Sequence, residues 1–273
     1  MSLFLASLNS GSNANCYYVG DHENAVLIDA GLSCRETLKR LHQLNLKPSL
    51  IRAIFISHEH TDHIKGVEVL SRKLDIPVYI SEKTHTNSRL FFEAHRIKRI
   101  STRTPQVFGT IAVESFSKQH DAADPYSFVV SSQSINVGVI TDVGHACENV
   151  VAAFSKCHAA ILEANYDTQM LENGPYPYHL KQRIKSDRGH LSNDQALRLF
   201  IDHASPELCH LMLAHLSKEN NHPQKVQALF EAHAGTTKIH VASRYEASPV
   251  FQLLKTNNKI ELNELRLQQL LFE

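Results

Sequence analysis

The segment His58-Glu59-His60-Thr61-Asp62-His63 packs three imidazoles and an aspartate into six residues. It follows the apolar run Ala53-Ile54-Phe55-Ile56, which reads as a buried strand. A strand end that delivers this many nitrogen and oxygen donors into one loop is built to hold divalent metal. Imidazole and carboxylate are the usual ligands of zinc and also suit manganese and iron. Any fold adopted by this chain must therefore bring further donors to that loop.

His58 and His60 alternate, so from an extended loop both face one side, whereas the neighbours Asp62 and His63 point apart. One loop can thus feed two adjacent ions, His58 with His60 and Asp62 with His63. Other strand ends supply candidate partners. His120 follows Val113-Glu114-Ser115-Phe116-Ser117, Asp142 follows Val137-Gly138-Val139-Ile140, and His215 follows Leu211-Met212-Leu213-Ala214. A polar ligand at the end of each apolar strand would converge on one rim. Asp142, with its two oxygens, is the natural bridge. His145 competes for the same role, His210 reads as a strand residue, and His222 as a helix cap before Pro223.

The 273 residues suffice for one large α/β domain, and no repeat, low-complexity tract or linker divides them. The expected organisation is a single domain over 1–273, its tail from about 249 packed on the rest. Lys plus Arg and Asp plus Glu both number 28, which argues against a protein that coats polyanions generally but permits a local basic patch. The five cysteines form no CxxC pair, the start lacks a signal peptide's pattern, and no run reaches the ~18 apolar residues of a membrane span. These features predict a cytoplasmic protein with reduced thiols and no membrane partner. Strands and helices interleave in both halves, which suits two sheets between helical layers. The pattern predicts helices over about 64–74 and 82–95, one strand over about 107–117, and a Leu-rich tail after Val250-Phe251-Gln252-Leu253.

The order His-x-His-x-Asp-His, then His, Asp and His, resembles the metallo-β-lactamase superfamily. The likeness runs from about residue 3 to 243 and implies a four-layer αβ/βα sandwich. It also implies that Asp29, in Leu27-Ile28-Asp29-Ala30-Gly31, braces the metal loop. Leu213-Ala214-His215-Leu216-Ser217 and Gly189-His190-Leu191-Ser192 resemble segments of RNase Z-type phosphodiesterases, in which the histidine equivalent to His190 contacts the scissile phosphate. Ser10-Gly11-Ser12-Asn13-Ala14-Asn15-Cys16, His120-Asp121-Ala122-Ala123-Asp124-Pro125 and Leu216-Ser217-Lys218-Glu219-Asn220-Asn221-His222-Pro223 are similar to the YycJ/WalJ-type branch, associated with 5′-to-3′ exonuclease action on DNA. That branch commonly has His where Tyr166 stands in Glu163-Ala164-Asn165-Tyr166-Asp167, a departure that bears on substrate form or polarity.

The resemblance implies phosphodiester hydrolysis by hydroxide generated at a pair of divalent ions, zinc or manganese, with iron also suited. Asp62, Asp142 and His190 carry the chemistry on that reading. Ser12, Asn13 and Asn15 are expected near the substrate. So are the basic residues Lys181, Arg183, Lys185 and Arg188, which precede His190, and a second run of Arg96, Lys98, Arg99 and Arg103. Such groups give sequence-independent affinity for phosphates, and Tyr176, Tyr178 and Phe91-Phe92 offer stacking faces. The expected partner is nucleic acid, DNA ahead of RNA, with monomer and dimer both compatible. Alternatives are an RNase Z-like ribonuclease, a small-molecule phosphodiesterase or thioester hydrolase, and a non-catalytic metal-stabilised adaptor. An RNase Z-like enzyme would be expected to carry a Gly/Pro-rich RNA-gripping insertion, which this sequence lacks. A closed structural site would have four ligands rather than this larger set.

Overall fold

The computed structural model describes residues 2–256 and 259–265. Its first strand, Ser2–Asn9 (β1), shows why the chain folds in layers. Leu3 and Leu5 point to one side, Phe4, Ala6 and Leu8 to the other, and all are buried. A strand apolar on both faces must be covered on both.

The order continues Cys16–Gly20 (β2), Ala25–Ile28 (β3), Cys34–Gln43 (α1), Ile51–Phe55 (β4), Thr61–Ile64 (α2), Val67–Leu74 (α3), Val78–Ile80 (β5), Glu82–Ser88 (α4) and Ile97–Arg99 (β6). The second half runs Gln106–Phe108 (β7), Ile111–Ser117 (β8), Tyr126–Ser132 (β9), Ile135–Ile140 (β10), Glu148–Phe154 (α5), Ala159–Glu163 (β11), Thr168–Asn173 (α6), Tyr178–Lys185 (α7), Asn193–His203 (α8), His210–Ala214 (β12), Pro223–Glu231 (α9), Lys238–Val241 (β13), Val250–Thr256 (β14) and Lys259–Leu265 (β15).

One sheet has the order β15-β14-β1-β2-β3-β4-β5-β6 and the other β13-β12-β11-β10-β9-β8-β7. Leu5, Tyr17 and Phe55 of the first meet Phe128, Val137 and Ile161 of the second in a shared core. Leu41 of α1 and Leu70 of α3 cover the outer face of the first sheet. Phe154 of α5, Phe200 of α8 and Phe230 of α9 cover that of the second. This is the four-layer αβ/βα sandwich that the resemblance implies.

Strand direction places the site. β3 and β4 are parallel, as are β10, β11 and β12, so within each sheet these strands end at the same rim. The residues just beyond those ends are Asp29, Ser57, Asp142, Ala164 and His215. In α/β sheets, ligands gather outside the carboxyl ends of parallel strands.

Local structure departs from the sequence pattern in four places. The helix expected over 64–74 is split at Gly66, whose amide donates to Ala30 O; a Cβ there would lie 1.8 Å from Leu32 O. The helix expected to reach 95 stops at Ser88 because Arg89 turns left-handed at φ 57°. The strand expected over 107–117 is a hairpin folded at Gly109, φ 59°. Ile97-Lys98-Arg99, with two cations, is an edge strand, where charge is tolerated and blocks further pairing. The tail forms the antiparallel pair β14–β15, with β14 aligned on β1 so that Leu253 faces Leu3; residues 266–273 lie outside those described.

Phe128 is fully buried between the sheets, its ring centroid 5.6 Å from that of Phe55. Phe128→Ala is expected to cost about 3–5 kcal/mol. Urea unfolding checks this, and a loss below about 1 kcal/mol would show that the sheets do not depend on this contact.

Candidate metal centre

The strand-end geometry gathers the expected ligands into overlapping groups. Donor atoms of His58, His60 and His120 lie within 4.8 Å of one another, and so do those of Asp62, His63 and His215. Asp142 stands between the two groups. Its Oδ2 is 3.4 Å from His63 Nε2, and its Oδ1 is 3.4 Å from His215 Nδ1 and 3.9 Å from His120 Nε2.

The outer nitrogen of each core imidazole is held by the protein. His120 Nδ1 is 3.0 Å from Gly189 O, a carbonyl that only accepts, so the ring proton sits on Nδ1. His63 Nδ1 lies 2.7 Å from Asp29 Oδ2, and His58 Nδ1 lies 2.9 Å from Ser57 Oγ. His215 Nδ1 lies 3.0 Å from Glu163 Oε1. Nε2 of His58, His120 and His215, together with Asp142 Oδ2, is buried with no hydrogen-bond partner among the described residues. Buried polar atoms are rarely left unpaired, and imidazoles that ligate metal hold their other nitrogen in this way. The donor set therefore fits divalent metal ions.

Asp29 carries the bracing. Its Oδ1 accepts from the Ser57 amide and its Oδ2 from Ser57 Oγ, both at 2.8 Å, while Oδ2 also meets His63. Asp29, Asp142 and His215 all adopt left-handed backbone, with φ of 59°, 55° and 56°. That conformation costs an L-residue about 1–2 kcal/mol. Strain of this kind persists where surrounding structure holds it and clusters at functional sites. Gly31 permits the closest approach: a Cβ there would lie 1.7 Å from Asp62 O.

The electrostatics follow from carboxylates taken out of water. Asp29, Asp142 and Glu163 are each no more than 1% exposed. Burial opposes ionisation of Asp142, but His215 and His63 outweigh it and hold the carboxyl well below its usual range. Glu163 is drawn down to about 2 against its own burial, chiefly by His190. Burial likewise opposes charge on His215, yet Asp142, Asp62 and Glu163 lift it to about 10. His63 is raised well above normal against its burial, chiefly by Asp142 and Asp29. Burial dominates at His58, which is pushed well down, and at His120, pushed to about 4. Metal binding would take over the charge balance that protons on His63 and His215 otherwise supply.

His190 lines a cavity of about 210 Å³ beside the cluster, together with Ser12, Tyr176, Arg183 and His215. Its Nδ1 lies 2.8 Å from Glu163 Oε1. The other oxygen of Glu163 accepts from the amides of Val143 and Leu191, which fixes the carboxylate. Sequence reasoning missed Glu163, although it ends an apolar strand just as the other donors do. It also missed Asn165, whose Nδ2 donates to His215 O at 2.7 Å.

The remaining expected contacts divide. Ser12, Tyr176 and Arg183 face the cavity, with Arg183 paired to Asp121. Asn15 is fully buried and its Nδ2 donates to Asp62 Oδ2 at 3.1 Å, so it braces the ligand loop instead of meeting substrate. Asn13 donates to Arg244 O. Arg188 donates to His120 O. Lys181 bonds Glu172 O and Lys185 pairs with the Glu172 carboxylate, turning both away from the cavity wall. Arg96 pairs with Asp75, Arg99 with Glu82, and Lys98 and Arg103 lie on or after the edge strand β6; none of this run lines the cavity. Tyr178 and Phe91 are exposed and also stand off it. Tyr166 is buried, and its carbonyl accepts from the Asn193 amide at the start of α8.

Residues 24–215 match a family model described as a beta-lactamase superfamily domain. The chain belongs to the β-lactamase superfamily. It is 38% identical over 232 residues to exodeoxyribonuclease YycJ of Bacillus anthracis, covering 81% of this chain and 85% of that one. It is 34% identical over 262 residues to exodeoxyribonuclease WalJ of Streptococcus pneumoniae, covering 90% and 96%. Among solved structures, the metallo-β-lactamase fold protein YhfI of Bacillus subtilis superposes with a TM-score of 0.69 at 14% identity, covering 91% of this chain and 99% of that one. Human tRNase Z, short form, gives 0.61 at 16%, covering 90% and 98%. These two show the shared superfamily fold. Among the described residues, no helix is long and apolar enough to cross a membrane.

Asp29→Asn keeps the shape and the tolerance for positive φ but removes the charge that holds His63. Metal affinity is expected to fall about 10–100-fold, measured by competition with a chromophoric zinc chelator. An unchanged affinity would remove Asp29 from the bracing role.

Proposed function

We propose that this protein is a metal-dependent hydrolase of phosphodiester bonds, an exonuclease acting on DNA in the 5′-to-3′ direction. The superfamily fold, the unpartnered donor cluster and relatives named exodeoxyribonucleases support a nuclease acting on DNA. The polarity rests on the resemblance of Ser10–Cys16 and Leu216–Pro223 to the YycJ/WalJ-type branch.

His58, His60 and His120 would hold one ion, Asp62, His63 and His215 a second, and Asp142 both. Zinc suits the imidazole-rich set and manganese the carboxylates. Such ions supply Lewis acidity, which brings water's pKa toward about 7 and offsets charge on a phosphoryl oxygen.

The observation that carries the reading is the pair Glu163–His190 on the wall beside the ligands. A phosphodiester expels an alkoxide, which needs a proton as the P–O bond breaks. A thioester expels a thiolate of pKa about 8.5, which needs none. Glu163 holds His190 by Nδ1 and orients the ring, so Nε2 can deliver a proton to the leaving oxygen. Tyr176 offers the strand a stacking face on the same cavity.

His190→Ala is expected to slow DNA hydrolysis about 10²–10⁴-fold. Turnover of bis(p-nitrophenyl) phosphate, whose phenolate leaves unaided, should fall far less. Equal losses on both substrates would deny His190 the proton-donor role. Digestion of DNA and RNA strands labelled at either end, with zinc or manganese, tests the whole reading. Early release of the 5′ label as mononucleotide from DNA is expected. Turnover of small phosphodiesters with every polymer left intact would contradict it.

A further inference from the structure

Beside the His190 cavity lies a second one of about 320 Å³, and the two share Leu216 and Ser217 as a common wall. Ser217 follows the ligand His215 by two residues, so the second cavity begins next to the metal centre. Its volume is in the range of sites for small ligands, about 300–1,000 Å³. Its walls carry Lys218, His222, Arg244 and Tyr245, and no acidic side chain is among the described residues lining it. The first cavity, by contrast, offsets Arg183 with Asp121.

Arg244 joins the two spaces. Its Nη2 donates to Leu216 O at 3.2 Å and to Ser12 Oγ at 3.3 Å, and Ser12 lines the first cavity. Its carbonyl accepts from Asn13 Nδ2 at 2.9 Å. The next residue, Tyr245, is 72% exposed on a backbone held in place. The buried Arg40 donates to Tyr245 O at 2.8 Å while its other nitrogen bonds Asn9 Oδ1 at 2.7 Å. Ser243 Oγ accepts from the Tyr245 amide at 3.1 Å. An exposed aromatic ring on a backbone tied down from both sides is a preformed stacking surface, and cations beside it suit a phosphate.

We infer that this second cavity binds the nucleotide adjoining the scissile bond, its phosphate against Arg244 and Lys218 and its base against Tyr245. The inference rests on the nuclease reading above and adds to it a subsite for the polynucleotide strand. Lys218 lies 3.6 Å from Glu219, and both side chains are well exposed, so this pair leaves the lysine available.

The test compares the parent protein with Lys218→Ala, Tyr245→Ala and the double variant. The substrates are a single-stranded DNA dodecamer and bis(p-nitrophenyl) phosphate, which is too short to span both cavities. The ratio of kcat/KM on the dodecamer to that on the small diester should fall at least tenfold in the double variant, mainly through KM. The salt dependence of dodecamer binding, read by fluorescence anisotropy in EDTA, should flatten by about 0.7 in log–log slope for the one charge removed. An unchanged ratio with unchanged anisotropy would overturn the subsite, as would equal losses on both substrates, which mark a structural defect. If the parent protein turns over no DNA, the nuclease reading fails. Anisotropy then still decides the cavity: weaker dodecamer binding by the double variant supports it, and equal binding overturns it.

Discussion

The site is organised around negative charge held where water cannot reach it. Asp29, Asp142 and Glu163 sit at the ends of strands in two different sheets, and each is almost wholly buried. A buried carboxylate without partners costs several kcal/mol. The chain meets that cost with amides and hydroxyls where it can: Ser57 for Asp29, and the amides of Val143 and Leu191 for Glu163. Asp142 lacks such a partner for one oxygen. What remains to balance it is positive charge, from protonated imidazole or from metal, and the surrounding Nε2 atoms are arranged for metal.

The fold makes this arrangement affordable. Strands apolar on both faces lock the sheets between helices, so the rim where parallel strands end can carry polar residues without loss of core. The left-handed backbone at Asp29, Asp142 and His215 bends each side chain inward at the point where its strand stops. The same logic sets the order of tasks around the centre. The candidate metal donors cluster near the carboxylates, the Glu163–His190 pair lies beside the cavity, and exposed cationic side chains such as Lys218 line the neighbouring one.

The cluster of donors that the fold gathers was legible because His and Asp at strand ends leave dense local marks. His58 to His63 cannot be mistaken for a solvated loop, and each remaining donor follows an apolar run. The two-sheet architecture was legible in the interleaving of such runs. Glu163 was less legible because it belongs to no dense histidine cluster, although it ends an apolar strand as the other donors do. Asn15 was misplaced for a different reason: a buried amide and a substrate-binding amide look alike in sequence, and only its contacts with Asp62 and Gly11 separate them. The basic runs were the least legible. Lys181, Lys185 and Arg99 are engaged by Glu172 and Glu82, partners set by packing rather than by spacing. Arg244 and Tyr245 carry no motif at all. Tyr245 is held by Arg40, some two hundred residues earlier in the chain, and Arg244 by Ser12, Asn13 and Leu216, contacts that tertiary structure alone brings together.

The function proposed above has two cations share Asp142. Metal content of the protein after saturation with zinc and gel filtration, measured by inductively coupled plasma mass spectrometry, addresses it directly. About two ions per chain are expected, as a paired-metal site requires. A plateau at one ion or none, with the protein folded, would contradict the account.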